Sequence, residues 1–306
     1  MAIAKSGAPK APSKKYTLDD LLVDAKDFKA KDSTNVLLIG VQNSKKTFSL
    51  NTIPTEWVDW VTGERRPFIV WYINADDRAS VINWDNFPHW KVINLPLGGM
   101  NPLEIIDMHK DLIEGLAKLE PNKRPDCIIY DTLSVVSKNV ENYTWENISG
   151  VGYSHGFEGN EDRFGFTSHM LEMIIFGLQR NCQFFFALAH EKEPYWAELK
   201  ENAAKAKYKP DLIGGIKTIL PRFFHEVYFT MKNNGDWEWL TQTQGQREPR
   251  TCYPVQKFLP MDWSIIIERK WGEYRDEQAA HDDEQAREQE AAKERKEIQK
   301  AMEVKE

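Results

Sequence analysis

The stretch NVLLIGVQNSKKTFSL, residues 35–50, decides the fold that we predict for this chain. It starts with an apolar run of strand length, turns at Gly40 and continues with Lys46 and Thr47 at the start of a predicted helix. This spacing is that of G-x-x-x-x-G-K-[ST], in which backbone N–H groups surround a phosphate, the lysine contacts phosphate oxygens and the hydroxyl binds Mg²⁺. The stretch therefore predicts a phosphate-binding loop, although an ordinary strand–turn–helix corner with exposed lysines has the same outline.

The loop departs from the pattern at two positions where glycine is expected, which hold Asn43 and Lys45. Asparagine adopts the left-handed backbone conformation more readily than most residues, so Asn43 is a mild change. A left-handed Lys45 would cost about 1–3 kcal/mol, and its side chain would either crowd the phosphate or add a second positive charge. The predicted nucleotide-binding residues are Gly40, Asn43, Ser44, Lys45, Lys46 and Thr47.

Three further predicted strands end in polar residues that suit nucleotide chemistry. Asp131, in RPDCIIYDTLS, would hold Mg²⁺ together with Thr47. Asp76 or Asp77, in YINADDRAS, would orient the attacking water, and either could instead be a helix N-cap. His190, in FFFALAHEKE, would sense the terminal phosphate. The predicted catalytic set is thus Asp131, Asp76, Asp77 and His190.

The order of apolar runs and helical patterns predicts the fold class. Runs of strand length occupy residues 35–40, 68–74, 91–97, 126–131, 183–190 and 226–232, and helical patterns occupy 101–119 and 167–181. Nearly continuous apolar strands that alternate with helices are typical of an α/β protein with a mostly parallel, helix-covered sheet. The segment from 236 to 267 is predicted to extend this sheet with antiparallel strands.

Composition divides the chain into three parts. Residues 1–16 form a basic arm that we expect to be flexible, residues 17–272 the core, and residues 273–306 a charged tail that is helical or disordered. The tail contains twelve acidic and seven basic side chains, so it carries −5 of the net charge of −7. The remaining body is close to neutral, which leaves room for a local basic patch.

Composition also indicates where the protein works. No apolar stretch is long enough to span a membrane, and the N-terminus lacks the apolar segment of a secretory signal. The cysteines, Cys127, Cys182 and Cys252, are widely spaced and odd in number, which favours a reducing, cytoplasmic compartment. We therefore expect a cytoplasmic protein with no membrane partner.

The chain resembles the phage P-loop ATPases of the RecA-like, single-strand-annealing (Sak) type. The resemblance covers about residues 33–255 and depends on VLLIGVQNSKKT, IIYDTLS, ALAHEKE, KPDLIGGIKTILPRFFHEVYF and WLTQTQGQREPRT. It implies a RecA-like core that binds ATP and Mg²⁺, forms a homo-oligomeric ring or filament and acts on single-stranded DNA in recombination. A phage protein of this type would work in the host cytoplasm, and its tail could recruit another replication or recombination protein.

The predicted nucleic-acid contacts lie in two long connections, residues 141–166 and 192–209. The first is rich in glycine and aromatic residues, including Phe157, and the second alternates lysines with aromatic residues. Aromatic rings stack on bases and lysines contact phosphates, although the second connection could equally form a subunit interface. The predicted contacts are Lys192, Trp196, Lys200, Lys205, Lys207, Lys209 and Phe157. Arg222, Arg247 and Arg250 are candidates for an arginine that reaches the nucleotide of a neighbouring subunit.

Two functions of different kinds remain open at this level. The first is an ATP-binding recombination protein that also hydrolyses ATP if the altered loop permits it. The second is a scaffold or interaction protein that keeps the fold and has lost nucleotide hydrolysis, as Asn43 and Lys45 would suggest. A nucleoside kinase is a weaker third candidate, because we find no arginine-rich lid.

Overall fold

The computed structural model describes residues 33–58, 64–76, 79–95, 102–143, 160–194, 200, 206–213, 215–253 and 255–270. The strands are β1 (Thr34–Gly40), β2 (Glu56–Val58), β3 (Arg65–Pro67), β4 (Val70–Asn74), β5 (Lys91–Asn94), β6 (Cys127–Asp131), β7 (Phe184–Lys192), β8 (Lys209–Pro210), β9 (Glu226–Asn233), β10 (Asp236–Leu240) and β11 (Phe258–Pro260). The helices are α1 (Lys46–Ser49), α2 (Pro102–Lys118), α3 (Leu133–Tyr143), α4 (Asn160–Gln179), α5 (Ile216–Ile219) and α6 (residues 263–270).

Nine of these strands form one mixed sheet in the order β11-β10-β9-β1-β7-β6-β4-β5, with β8 paired to β7 outside this path. The six strands from β9 to β5 in this order are mutually parallel, whereas β8, β10 and β11 pair antiparallel to their neighbours. The prediction of an α/β protein with a mostly parallel sheet is confirmed. This order is compatible with a RecA-like core.

The central strands of the sheet are buried on both faces, because their alternate residues enter different apolar clusters, whereas the edge strand β5 is largely exposed. In β1, Leu37 and Ile39 pack on the side that also buries residues of α2, α3 and α4. Val36 and Leu38 pack on the other side, with residues of α6 and the 3₁₀ turn after α1. Successive side chains of a strand point to opposite faces, so a strand covered on both faces must be apolar throughout. This explains why the parallel strands appear in the sequence as continuous apolar runs.

Two predictions about secondary structure are wrong. Residues 263–270 form α6, although we expected antiparallel strand structure as far as residue 267. The supposed long connection 141–166 is helical at both described ends, because α3 extends to Tyr143 and α4 begins at Asn160. In both cases aromatic residues within a helix were taken for strand or loop positions, and periodicity over so few turns did not separate the alternatives.

Several predicted features lie outside the described residues. These are the basic arm, the charged tail, and residues 144–159 of the first predicted DNA-binding connection. Within the described ranges, no helix is long and apolar enough to cross a membrane.

Candidate nucleotide-binding site

A cavity of about 330 Å³ opens at the carboxyl end of the parallel sheet. The register places Gly40 of β1 beside His190 of β7, and Asp131 of β6 beside Asn74 of β4, so the polar strand ends meet at one edge. Ligand sites of parallel α/β sheets lie outside these carboxyl ends. The described residues that line the cavity are Asn43, Ser44, Lys45, Lys46, Thr47, Phe48, Asp76, Val81, Asp131 and His190.

The loop between β1 and α1 has the backbone that its glycine-like positions predict. Asn43 has φ 64° and Lys45 has φ 60°, both in the left-handed region, while Ser44 between them has negative φ. Alternation of this kind turns backbone N–H groups toward one side and makes a concavity suited to an anion. Asn43 and Lys45 therefore adopt the left-handed backbone that glycine would adopt freely, and the Lys45 side chain is exposed.

Gly40 is required by a contact that the loop pattern does not reveal. A Cβ atom at this position would lie 1.7 Å from Oγ1 of Thr230 in β9 and 2.8 Å from Oγ of Ser44. Thr230 donates a hydrogen bond to the Ser44 hydroxyl at 2.8 Å, and Ser44 donates to the Val41 carbonyl at 2.8 Å. The glycine thus lets β9 approach and fasten the loop.

The Lys46 side chain is buried and turns back into its own loop. Its ammonium donates hydrogen bonds of 2.8 Å to the carbonyl oxygens of Gly40 and Val41, and one of 3.4 Å to the Ser44 hydroxyl. These bonds satisfy a buried positive charge, which would otherwise be costly. They also place a cation at the centre of the loop, where a polyphosphate would be bound.

Thr47 and Asp131 meet as the predicted Mg²⁺ pair. The Thr47 hydroxyl donates to Oδ2 of Asp131 at 2.7 Å, and the Tyr72 hydroxyl donates to the same oxygen at 2.9 Å. Tyr72 lies in β4 and packs edge-on against Trp84, with ring centroids 5.7 Å apart. The carboxylate is therefore held from two sides by groups on different elements.

Burial shapes the proton chemistry of this pair. It raises the pKa of the Asp131 carboxyl, while the hydrogen bonds from Thr47 and Tyr72 and the nearby Lys46 charge act in the opposite direction. Burial, reinforced by the Asp131 carboxylate, also raises the pKa of Tyr72, so its hydroxyl remains a donor at neutral pH. A divalent cation would favour the charged carboxylate and compete with its proton.

Asp76 and His190 form a second pair in the same cavity. Oδ2 of Asp76 lies 3.5 Å from Nε2 of His190. The backbone N–H of His190 donates to the Ser134 hydroxyl at 2.9 Å, which fastens β7 to the start of α3. The predicted catalytic residues Asp131, Asp76 and His190 are therefore brought together, while Asp77 lies outside the described residues.

The predicted nucleic-acid residues are only partly described. Lys192 and Lys209 face each other across β7 and β8, and Lys192 lies 3.3 Å from Asp211. Lys207 pairs with Glu248, and Lys200 is an exposed helical residue. Trp196, Lys205 and Phe157 lie outside the described residues. Because Lys192 and Lys207 have acidic partners in the same chain, a role in DNA contact stays a prediction.

The three candidate arginines have different surroundings. The guanidinium of Arg247 binds the buried Glu191 carboxylate through bonds of 2.5 and 2.9 Å and lies over the Tyr208 ring. Arg222 and Arg250 are exposed, on the 3₁₀ turn after α5 and beside β9 respectively. To act on a neighbouring subunit, Arg247 would have to break its ion pair with Glu191. Among the described residues, Arg222 and Arg250 form no ion pair that would have to break.

Sequence reasoning missed three residues of this site: Tyr72, Thr230 and Phe48. Tyr72 and Thr230 stand inside apolar strand runs, FIVWYIN and EVYFTMK, where a single hydroxyl is easily taken for a core residue. Their roles depend on which strands are neighbours in the sheet, and this order cannot be predicted from the sequence pattern. Phe48 directly follows the loop, and only its exposure in the folded chain distinguishes it from a core aromatic residue.

No protein-family model matches this chain, and a search of curated proteins finds no match.

Proposed function

We propose that this protein binds Mg²⁺–ATP at the carboxyl edge of its sheet, as a RecA-like P-loop protein with an altered loop. The observation that carries the proposal is the Thr47–Asp131 hydrogen bond of 2.7 Å beside a loop whose Asn43 and Lys45 have positive φ. Residues that are 84 positions apart in the chain are thereby joined at the predicted metal position.

The described side chains fit the groups of this ligand. Loop N–H groups and Lys46 would hold the phosphates, and Thr47 and Asp131 would hold the metal. Mg²⁺ is usually bound by one or two protein oxygens together with substrate phosphates, so such a sparse donor set suits it. Bound Mg²⁺–ATP supplies a phosphoanhydride that water can cleave. Asp76 is the residue of this cavity that we assign to orient that water, and His190 is its partner.

Action on single-stranded DNA and assembly into a ring or filament complete the proposal. They are supported by the resemblance described above and by the lysines near β7 and β8. A DNA-stimulated ATPase in recombination is the function that joins both parts. A cytoplasmic location is part of this proposal and is supported by the three widely spaced cysteines.

The first test is calorimetric titration of the full chain with Mg²⁺–ATP, comparing the parent with Lys46→Ala. A charge-assisted hydrogen bond is worth about 1.5–3 kcal/mol, so the variant should bind about 10–100 times more weakly. Lys118→Ala, which removes an exposed lysine at the end of α2, is the matched control and should bind like the parent. Equal affinity of Lys46→Ala and the parent would contradict the assignment.

A nucleotide-free scaffold is the second candidate, and the Lys46 contacts favour it. The Lys46 ammonium already donates to two backbone carbonyls and a hydroxyl, so these hydrogen bonds stabilise the loop without a bound ligand. A scaffold would give no heat with Mg²⁺–ATP and would still bind single-stranded DNA or a protein partner. Measuring DNA binding with and without ATP on the same sample separates the two candidates.

A further inference from the structure

The connection from β4 to the 3₁₀ turn Ala79–Val81 carries Asp76, the residue that we assign to orient the attacking water. The start of this connection is fixed to the sheet, because the backbone N–H of Ala75 donates to the Asp131 carbonyl at 2.6 Å. A carboxylate orients water only while its position relative to the phosphate is maintained. The other end of the connection therefore needs an anchor as well.

Asn51, in the 3₁₀ turn after α1, supplies this second anchor. Its side-chain amide donates to the Phe48 carbonyl at 2.8 Å and to the Val81 carbonyl at 3.2 Å. Its side-chain oxygen accepts a hydrogen bond from the backbone N–H of Asn83 at 2.8 Å. One half-buried side chain thus joins the helix that follows the phosphate loop to the connection that carries Asp76.

Packing fixes the chain after this anchor more firmly than the chain before it. Ile82 and Phe87 are buried, whereas Ser80 and Val81 are exposed. A segment with little buried apolar surface opens at a low cost in free energy. The hydrogen bonds of Asn51 therefore act on the part of the connection to which packing contributes least.

We propose that Asn51 is a positioning residue for hydrolysis, which holds Asp76 at a fixed place relative to the phosphate loop. This inference rests on the proposed function, because that function assigns the attacking water to Asp76. Asn51 is not among the described residues that line the cavity. Its side chain therefore acts on the rate of cleavage through Asp76 and contributes little to the affinity for ATP.

The first test measures the affinity for Mg²⁺–ATP and the rate of hydrolysis separately, on the full chain with saturating single-stranded DNA. Asn51→Ala should lower kcat about 10–100-fold, because a displacement of about 1 Å can cost a reaction about 100-fold. It should change Kd less than about twofold. Asn51→Gln keeps the amide and should recover part of the rate. Asn142→Ala, which removes an exposed asparagine near the end of α3, is the matched control and should behave like the parent.

A double-mutant cycle separates positioning from a general loss of stability. Asp76→Ala removes the group that Asn51 positions, so the addition of Asn51→Ala to this variant should change kcat less than about twofold. A side chain that only stabilises the fold would lower kcat by the same factor whether Asp76 is present or not. Such independent effects would overturn the proposal.

The outcomes distinguish this inference from the proposed function. If Asn51→Ala weakens Mg²⁺–ATP binding as much as it lowers kcat, the positioning role is refuted and the binding site stands. A parent that binds Mg²⁺–ATP and does not cleave it, with or without DNA, also refutes the positioning role and leaves ATP binding intact. If the parent does not bind Mg²⁺–ATP, the proposed function fails as well.

Discussion

At the scale of single residues, the loop between β1 and α1 places two non-glycine residues in left-handed positions. Asn43 tolerates this region, whereas the Lys45 side chain makes no capping hydrogen bond that would offset its φ of 60°. The loop shape is therefore maintained by surrounding contacts rather than by the backbone preference of Lys45. The Ser44–Thr230 and Lys46–carbonyl hydrogen bonds supply those contacts.

Replacing Lys45 with glycine tests this strain. A left-handed conformation costs a residue with a Cβ about 1–2 kcal/mol, and glycine avoids this cost. Part of the resulting stabilisation is offset because glycine loses more conformational entropy on folding. Lys45→Gly should raise the free energy of unfolding by about 0.5–1 kcal/mol in urea denaturation. Lys110→Gly, within α2, should have the opposite sign. A destabilised Lys45→Gly protein would show that the lysine side chain itself stabilises the loop.

The Asp131–Tyr72 contact leads to a prediction about pH. A buried carboxyl with a raised pKa favours the protonated form, so its contribution to stability is present below the ordinary carboxyl pKa and is lost as the pH rises through the raised value. Mg²⁺ needs the charged form, so metal-dependent ATP binding should fall as the pH drops through the same value.

Tyr72→Phe is the variant that tests this dependence. The hydroxyl hydrogen bond lowers the pKa of Asp131, so its removal should raise that pKa and move the loss of Mg²⁺-dependent binding to higher pH. Titrations with ATP at several pH values, with and without Mg²⁺, measure the shift. An unchanged pH profile, with weaker binding at every pH, would indicate that Tyr72 only supports packing.

At the scale of elements, the site depends on the contact between β1 and β9. These strands are parallel neighbours, and Gly40 is the position at which the Thr230 side chain crosses toward the loop. The first glycine of the loop pattern is thus explained here by packing between strands. Any side chain at this position must displace β9 or the loop.

Gly40→Ala should destabilise the protein by about 1–3 kcal/mol, the usual cost of overpacking. Removing the hydroxyl that the new methyl group would meet, in the double variant Gly40→Ala/Thr230→Ala, should recover part of this loss. The coupling is measured by denaturation of the parent, both single variants and the double variant. Additive effects would mean that the methyl group and Thr230 do not meet.

The elements also show which predictions the sequence permits. Apolar runs identified the central parallel strands, because burial on both faces leaves few polar positions. The spacing of Lys46 and Thr47 and the strand-end position of Asp131 predicted their proximity, which does not depend on details of packing. The residues 263–267 were assigned wrongly, because a short amphipathic helix and a half-buried strand share so few distinguishing positions. Tyr72 and Thr230 could not be assigned to the site, because that assignment requires the order of the strands in the sheet.

At the scale of the whole molecule, α6, the last described helix, contacts α1 and the 3₁₀ turn after it. The indole N–H of Trp263 donates to the Ser49 hydroxyl at 2.9 Å, and its backbone N–H donates to the Thr52 hydroxyl at 2.8 Å. The indole also stacks on Phe186 of β7, with ring centroids 4.3 Å apart. A single tryptophan of α6 therefore contacts both α1, which follows the β1–α1 loop, and β7.

Trp263→Ala should destabilise the protein by about 3–5 kcal/mol, because it empties a fully buried site. Trp263→Phe keeps most of the packing and loses the hydrogen bond to Ser49. It should therefore lower the free energy of unfolding by about 1 kcal/mol relative to the parent. Thermal denaturation of both variants measures the difference. Equal losses would assign the whole effect to the hydrogen bond.

The Lys46 contacts have a consequence for how affinity and stability are related. Because an ammonium already cross-links the carbonyls of Gly40 and Val41, the loop acquires its shape while the chain folds. An incoming anion would exchange partners with a rigid receptor and would not have to order a mobile one. Substitutions that make this loop more flexible should then lower both the melting temperature and the affinity for the anion. Stability and affinity therefore cannot be changed independently at this loop.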